Sequence, residues 1–111
     1  MSNAEHVTKE LSENNVVLYM KGTADYPACG FSGTVCQILK RVGVSFKSVN
    51  ILEDKELRDS VRAITSWPTF PQLFVKGEFV GGCDIVREIY SSGELQQILK
   101  DKGVPFQENA A

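Results

Sequence analysis

Runs of apolar residues along the chain separate predicted strands from predicted helices. Residues 16–20 form a continuous apolar run that is too short for a buried helix and rich in β-branched residues, which is typical of a central strand covered on both faces. Residues 45–51 alternate between polar and apolar and predict a second strand. Between the two, helical spacing predicts a helix over about 30–41 that Gly43 ends, with an apolar stripe of Phe31, Val35, Ile38, Leu39 and Val42.

Strand, helix and strand in this order predict a βαβ unit with parallel strands. A β-hairpin is predicted from strands 72–75 and 78–81 around Lys76-Gly77. Asp54 can cap a helix that follows it. Four further helices are predicted, over residues 5–13, 55–65, 84–91 and 93–101.

Together these elements predict an α/β fold with a mixed four-stranded sheet and helices on both faces, which is the thioredoxin-like architecture. The chain has 111 residues, enough for one domain with its own hydrophobic core. We assign residues 5–104 to this domain and expect residues 1–4 and 105–111 to be flexible termini.

Charge and hydropathy exclude several classes of partner. The net charge of -2 gives no bulk attraction to nucleic acid or to an anionic membrane. No apolar run approaches the roughly 20 residues that span a bilayer. The N-terminus has the pattern of neither a signal peptide nor a transit peptide, so we expect a cytoplasmic protein, although a processed protein of the mitochondrial matrix would look the same.

The cysteines are the residues most indicative of chemistry. There are three, Cys29, Cys36 and Cys83, and an odd number in a reducing compartment argues against a disulfide framework. Cys29 lies just after a loop and just before a predicted helix, where the helix dipole and free N–H groups favour the thiolate. A thiolate is both a nucleophile and a metal ligand, so this position indicates redox or metal chemistry. A small buried cysteine is the alternative interpretation.

Four motifs in sequence order closely resemble those of the monothiol glutaredoxins of the CGFS class. The resemblance runs from about residue 5 to residue 102, and it is specific because all four motifs are present in register. The motifs are Lys21-Gly22-Thr23, Cys29-Gly30-Phe31-Ser32, Trp67-Pro68-Thr69-Phe70-Pro71-Gln72 and Gly81-Gly82-Cys83-Asp84.

The resemblance bears directly on disulfide chemistry. Dithiol relatives carry a second cysteine at the position of Ser32, whose hydroxyl cannot form a disulfide. Cys36 is a poor substitute, because seven helical residues span about 10.5 Å whereas the Cα atoms of a disulfide lie within roughly 7 Å. We therefore expect Cys36 to be a buried helix residue. Slow resolution of a mixed disulfide by Cys83 stays open.

The resemblance also implies glutathione as the ligand. The cations Lys21 and Arg58 would bind its glycine carboxylate. Phe70, before an expected cis-Pro71, would pair with its cysteinyl backbone. The whole implied site comprises Lys21, Cys29, Gly30, Phe31, Arg58, Thr69, Phe70, Pro71, Gly82, Cys83 and Asp84. The helix start at Asp84 would hold the γ-glutamyl group.

The function implied by the resemblance is the transfer or assembly of iron–sulfur clusters, with a role in iron homeostasis. A [2Fe-2S] cluster usually takes four thiolates, and each chain offers Cys29 alone as metal ligand. Two chains and two glutathiones would complete the set, which gives a homodimer bridged by the cluster. The implied partners are iron–sulfur scaffold and acceptor proteins and BolA-type proteins.

The alternative function is a glutathione-dependent thiol–disulfide oxidoreductase with Cys29 as its catalytic nucleophile. The loop of residues 23–28 is longer than the link in dithiol relatives and is typical of the CGFS class. It would shift glutathione relative to Cys29 and impair the reduction of mixed disulfides, so we rank cluster transfer first.

Overall fold

Five helices and four strands follow one another in the predicted order within residues 3–107, which the computed structural model describes. The helices are α1 (Asn3–Glu13), α2 (Gly30–Val42), α3 (Lys55–Thr65), α4 (Cys83–Ser92) and α5 (Glu94–Asp101). The strands are β1 (Val16–Met20), β2 (Lys47–Asn50), β3 (Gln72–Val75) and β4 (Glu78–Gly81).

Most predicted bounds are confirmed to within a residue, with two larger differences. β2 is shorter than the predicted 45–51, and α1 begins at Asn3 instead of residue 5. Residues 1–2 and 108–111, which belong to the predicted flexible termini, lie outside the described residues. The domain limits of 5–104 therefore stay a prediction.

The strands form one mixed sheet in the order β2-β1-β3-β4. β1 pairs with β2 in parallel, as the βαβ unit predicts, and antiparallel with β3. β3 and β4 form the predicted hairpin, whose turn residues Lys76 and Gly77 have φ of 51° and 81°. Positive φ at both turn positions matches the right-handed twist of the strands. The predicted thioredoxin-like fold is confirmed.

The continuous apolar run of β1 is explained by a core on each face of the sheet. Leu18 belongs to the cluster beneath α2, α4 and α5, whereas Tyr19 belongs to the cluster beneath α1 and α3. Successive strand residues point to opposite faces, so both alternating sets are buried. No helix within residues 3–107 is both long and apolar enough to cross a membrane.

Local sequence determines where the helices begin and end. The N–H of Leu57 donates to Oδ1 of Asp54 at 3.0 Å, which confirms Asp54 as the cap of α3. Gly43 follows α2 with φ of 74°, a left-handed conformation that glycine adopts without steric cost. The predicted end of α2 at Gly43 is therefore confirmed.

Phe31 is the one residue of the predicted α2 stripe that does not enter the core. Its side chain is 62% exposed, whereas Val35, Ile38, Leu39 and Val42 are buried. Phe31 lies in the first turn of α2 and lines an open cleft instead of the sheet. The prediction that it packs inward is wrong, because helical spacing does not indicate where a helix extends past the sheet that it covers.

A buried carboxylate ties α1 to two strands. Glu10 is 7% exposed, and the hydroxyl of Tyr19 donates to its Oε1 at 2.7 Å. Nζ of Lys47 lies 3.0 Å from its Oε2. Burial, together with the hydrogen bond to Glu10, raises the pKa of Tyr19, so the hydroxyl stays protonated and remains a donor.

We expect Glu10→Ala to lower the free energy of unfolding by about 2–4 kcal/mol, because it leaves a buried hydroxyl without its acceptor and Lys47 without its partner. Urea unfolding measures the loss. Glu13→Ala is the matched control, since its pair with Lys9 is exposed, and such pairs contribute about 1 kcal/mol or less. Equal losses for the two variants would contradict this role of Glu10.

Candidate functional site

A cleft of about 390 Å³ lies at one end of the sheet. Four parts of the chain form it: the residue after β1, the first turn of α2, the segment before β3 and the start of α4. Its lining residues are Lys21, Phe31, Trp67, Thr69, Phe70, Pro71, Gly82, Cys83, Asp84 and Ile85. Eight of the predicted site residues therefore line one cavity, although they come from distant parts of the sequence.

Cys29 occupies the N-cap position of α2, with an extended backbone and a partly exposed side chain. Burial raises its pKa, but hydrogen bonds from the backbone N–H and the hydroxyl of Ser32 act in the opposite direction. The N–H of Phe31 and the charge of Lys21 also lower it. The net result is a pKa below the ordinary value for cysteine, as the helix-start position predicts.

Ser32 has a role that the sequence analysis missed. Its side chain is fully buried, and its Oγ accepts a hydrogen bond from the backbone N–H of Lys21 at 3.1 Å. With Lys21 as the donor, the hydroxyl proton of Ser32 is available for the sulfur of Cys29. The sequence carried one indication of this role, because Ser32 follows Cys29 by three residues and residues three apart on a helix lie on the same side.

The loop of residues 23–28 is folded back onto the end of β1. The N–H of Ala28 donates to the carbonyl of Lys21 at 2.9 Å, and Thr23 and Tyr26 exchange backbone hydrogen bonds. Gly22 has φ of 88°, and a Cβ there would lie 2.4 Å from the Ala28 nitrogen. Glycine is therefore required at this close approach. The last residue of the loop therefore lies beside Lys21, and Cys29 follows it directly.

The segment before β3 provides the expected cis-proline. The peptide bond between Phe70 and Pro71 is cis, which confirms this expectation. Two cleft residues, Trp67 and Ile85, were absent from the predicted site. Trp67 could have been found because it opens the Trp67-Pro68-Thr69-Phe70-Pro71 motif. Ile85 carries no comparable signal, because a single apolar residue on a helix is ordinary.

The start of α4 forms another wall of the cleft. Gly82 is its N-cap, and the helix has no side-chain cap. Asp84 is exposed in the first turn, whereas Cys83 is buried, with 8% of its surface exposed. Burial raises the pKa of Cys83, and the proximity of Cys29 acts in the same direction. The pKa of Cys83 is therefore raised, whereas that of Cys29 is lowered.

Three predicted site residues, Cys29, Gly30 and Arg58, are not among those that line the cleft. Arg58 on α3 is half-buried, and its Nε has no hydrogen-bond partner among the described residues. Gly30 faces a separate depression on the outer side of α2. Cys36 is buried against Sδ of Met20 at 3.5 Å. Its predicted place inside the core is confirmed.

We expect Ser32→Ala to raise the pKa of Cys29, because the thiolate loses a hydroxyl donor. The alkylation rate of Cys29 by iodoacetamide, followed by peptide mass spectrometry, should fall about two- to tenfold near neutral pH, and its rise with pH should move to higher pH. Thr34→Ala is the control, since its hydroxyl on the same helix bonds to the carbonyl of Gly30. An unchanged pH profile in Ser32→Ala would contradict the assignment.

Comparison with known proteins agrees with this geometry. The family model described as Glutaredoxin matches residues 16–80. The chain is 52% identical over 100 residues to probable monothiol glutaredoxin 2 of Rickettsia typhi, covering 90% of each protein. It is 45% identical over 102 residues to Glutaredoxin 4 of Escherichia coli, covering 92% of this chain and 89% of that protein. The solution structure of a monomeric truncated mutant of Trypanosoma brucei 1-C-Grx1 has a TM-score of 0.88 and 34% identity, covering 97% of both chains. This chain therefore belongs to the glutaredoxin family, among its monothiol members.

Proposed function

We propose that this protein binds glutathione and carries a [2Fe-2S] cluster between two copies of the chain, and that it acts in cluster transfer or assembly and in iron homeostasis. The observation that carries the proposal is the environment of Cys29. It is a partly exposed thiol with a lowered pKa, and a serine stands where a resolving cysteine would be. A thiolate of this kind binds metal, yet it lacks the partner for a fast disulfide cycle.

The cleft has the groups that glutathione requires. Lys21 supplies a cation for a carboxylate, and the exposed carboxylate of Asp84 suits the ammonium of the γ-glutamyl group. Phe70, before the cis-proline, would pair its backbone with the cysteinyl residue of the tripeptide. In this pose the glutathione thiol would point towards Cys29 at the start of α2. Arg58 would approach the ligand from outside the cleft.

The ligand count supports a cluster shared between chains. Within residues 3–107 no group of three or more His, Cys, Asp or Glu side chains is placed to hold a metal ion. Cys36 and Cys83 are buried, so Cys29 is the protein ligand that each chain offers. A cluster needs four ligands. Two Cys29 thiolates and two glutathione thiols supply them, with the cluster as cargo rather than as a resident cofactor.

Glutathione as a ligand suits a carrier. A bound tripeptide exchanges with solvent, so half of the cluster ligands are labile, and the cargo passes readily to an acceptor. The proposed partners are a second copy of this chain, iron–sulfur scaffold and acceptor proteins, and BolA-type proteins. Tyr26 and Phe31, which are 84% and 62% exposed, flank Cys29 in the sequence and leave its surroundings open to such partners.

A second candidate function is a glutathione-dependent oxidoreductase, which the lowered pKa of Cys29 favours. In its first step the Cys29 thiolate attacks the glutathione sulfur of a mixed disulfide, and the other thiolate leaves. A second glutathione, as its thiolate, then attacks the Cys29-bound sulfur, releasing oxidised glutathione. Cys83, a buried free thiol that lines the cleft, would offer a slower intramolecular resolution. Rapid turnover of a glutathionylated substrate would favour this candidate.

We expect anaerobic reconstitution with iron, sulfide and glutathione to give a coloured dimer in the wild-type protein. Cys29→Ser should stay colourless and monomeric, because it removes the protein ligand. Cys36→Ala is the control and should stay coloured, since that thiol is buried in the core. Absorbance and size-exclusion chromatography measure both properties. A coloured Cys29→Ser protein, or a coloured wild-type dimer formed without glutathione, would refute the proposed cluster site.

A further inference from the structure

Three successive backbone carbonyls before the cis-proline accept hydrogen bonds from side chains. Nε2 of Gln72 donates to the carbonyls of Trp67 and Thr69, at 3.0 and 3.1 Å. Nε of Arg62 donates to the carbonyl between them, that of Pro68, at 2.9 Å. The segment of residues 67–71 is thus held at each of its first three residues.

The two donors hold the segment from different directions. Gln72 is fully buried at the start of β3, so its amide is fixed to the sheet. Arg62 belongs to α3, and its guanidinium lies 5.5 Å from the centre of the Phe70 ring. An arginine in this position forms both a cation–π contact and a hydrogen bond. The sheet and α3 therefore fix the same segment.

The sequence of the segment explains why it needs such contacts. Pro68 and Pro71 have no N–H, so residues 67–71 cannot form a regular ladder of backbone hydrogen bonds. Carbonyls without internal partners would be free to turn and to compete for the N–H groups of a bound peptide. The donors of Arg62 and Gln72 occupy them instead.

We propose that Arg62 and Gln72 are positioning residues that hold residues 67–71 in the shape that lines the cleft. They act through Trp67, Thr69 and Phe70, which line it. The consequence for affinity rests on the proposed function, because it takes glutathione as the ligand. The consequence for the shape of the segment does not, since it can be measured in the free protein.

Trp67 reports directly on this segment, because it is the single tryptophan of the chain. Its indole packs against Phe79, with ring centres 6.0 Å apart, and is 38% exposed. Acrylamide quenching of its fluorescence measures how far solvent reaches it. A glutathione titration of the same samples measures affinity, and urea unfolding checks that each variant is folded.

We expect Arg62→Ala to increase the quenching of Trp67 and to weaken glutathione binding by about tenfold, as the loss of a charged hydrogen-bond donor implies. Arg62→Lys should bring both the quenching of Trp67 and the affinity for glutathione part of the way back to the wild-type values, since a cation stays near Phe70. Gln72→Leu keeps the buried volume but frees two carbonyls, and should change both readouts in the same direction. Arg41→Ala, an exposed arginine on α2, is the matched control and should change neither.

Unchanged quenching and unchanged affinity in a folded Arg62→Ala protein would overturn the proposal. Should Gln72→Leu fail to fold, the two Arg62 variants decide it alone. A wild-type protein that binds no glutathione would refute the proposed function instead. In that case the quenching of Trp67 still decides whether Arg62 and Gln72 hold the segment.

Discussion

The two backbone hydrogen bonds of Lys21 determine where the reactive thiol lies. Its carbonyl accepts from the N–H of Ala28, and its N–H donates to the hydroxyl of Ser32. The first bond returns the loop to the end of β1, and the second fixes the first turn of α2 at the same point. Cys29 lies between these two attachments, so its position depends on the end of a central strand that is buried on both faces.

This attachment also determines the chemistry of the thiol. The strand end brings the charge of Lys21 to the site, and α2 brings the N–H groups of its first turn and the hydroxyl of Ser32. The side-chain hydroxyl that replaces a resolving thiol therefore stabilises the thiolate. This environment, without a neighbouring thiol on the same helix turn, supports the proposal that Cys29 binds metal rather than completing a disulfide cycle.

Most of the fold could be predicted because the core requires strong local patterns. The uninterrupted apolar run of β1, the cap at Asp54 and the glycine at 43 each have one favoured structure. Eight of the ten cleft residues were predicted through short motifs, and Trp67 and Ile85 were missed. The exposure of Phe31 could not be predicted, because helical spacing does not indicate where a helix extends past the sheet. The hydrogen bond from Arg62 to the carbonyl of Pro68 could not be predicted either, because it depends on how the chain turns after the end of α3.

We propose that the two chains of a dimer together provide half of the ligands of a cluster, one Cys29 thiolate each, and that two glutathione molecules provide the other half. Native mass spectrometry of the anaerobically reconstituted protein tests this claim most directly. It should give the mass of two chains, one [2Fe-2S] cluster and two glutathione molecules. A cluster bound to a single chain, or to a dimer without glutathione, would contradict it.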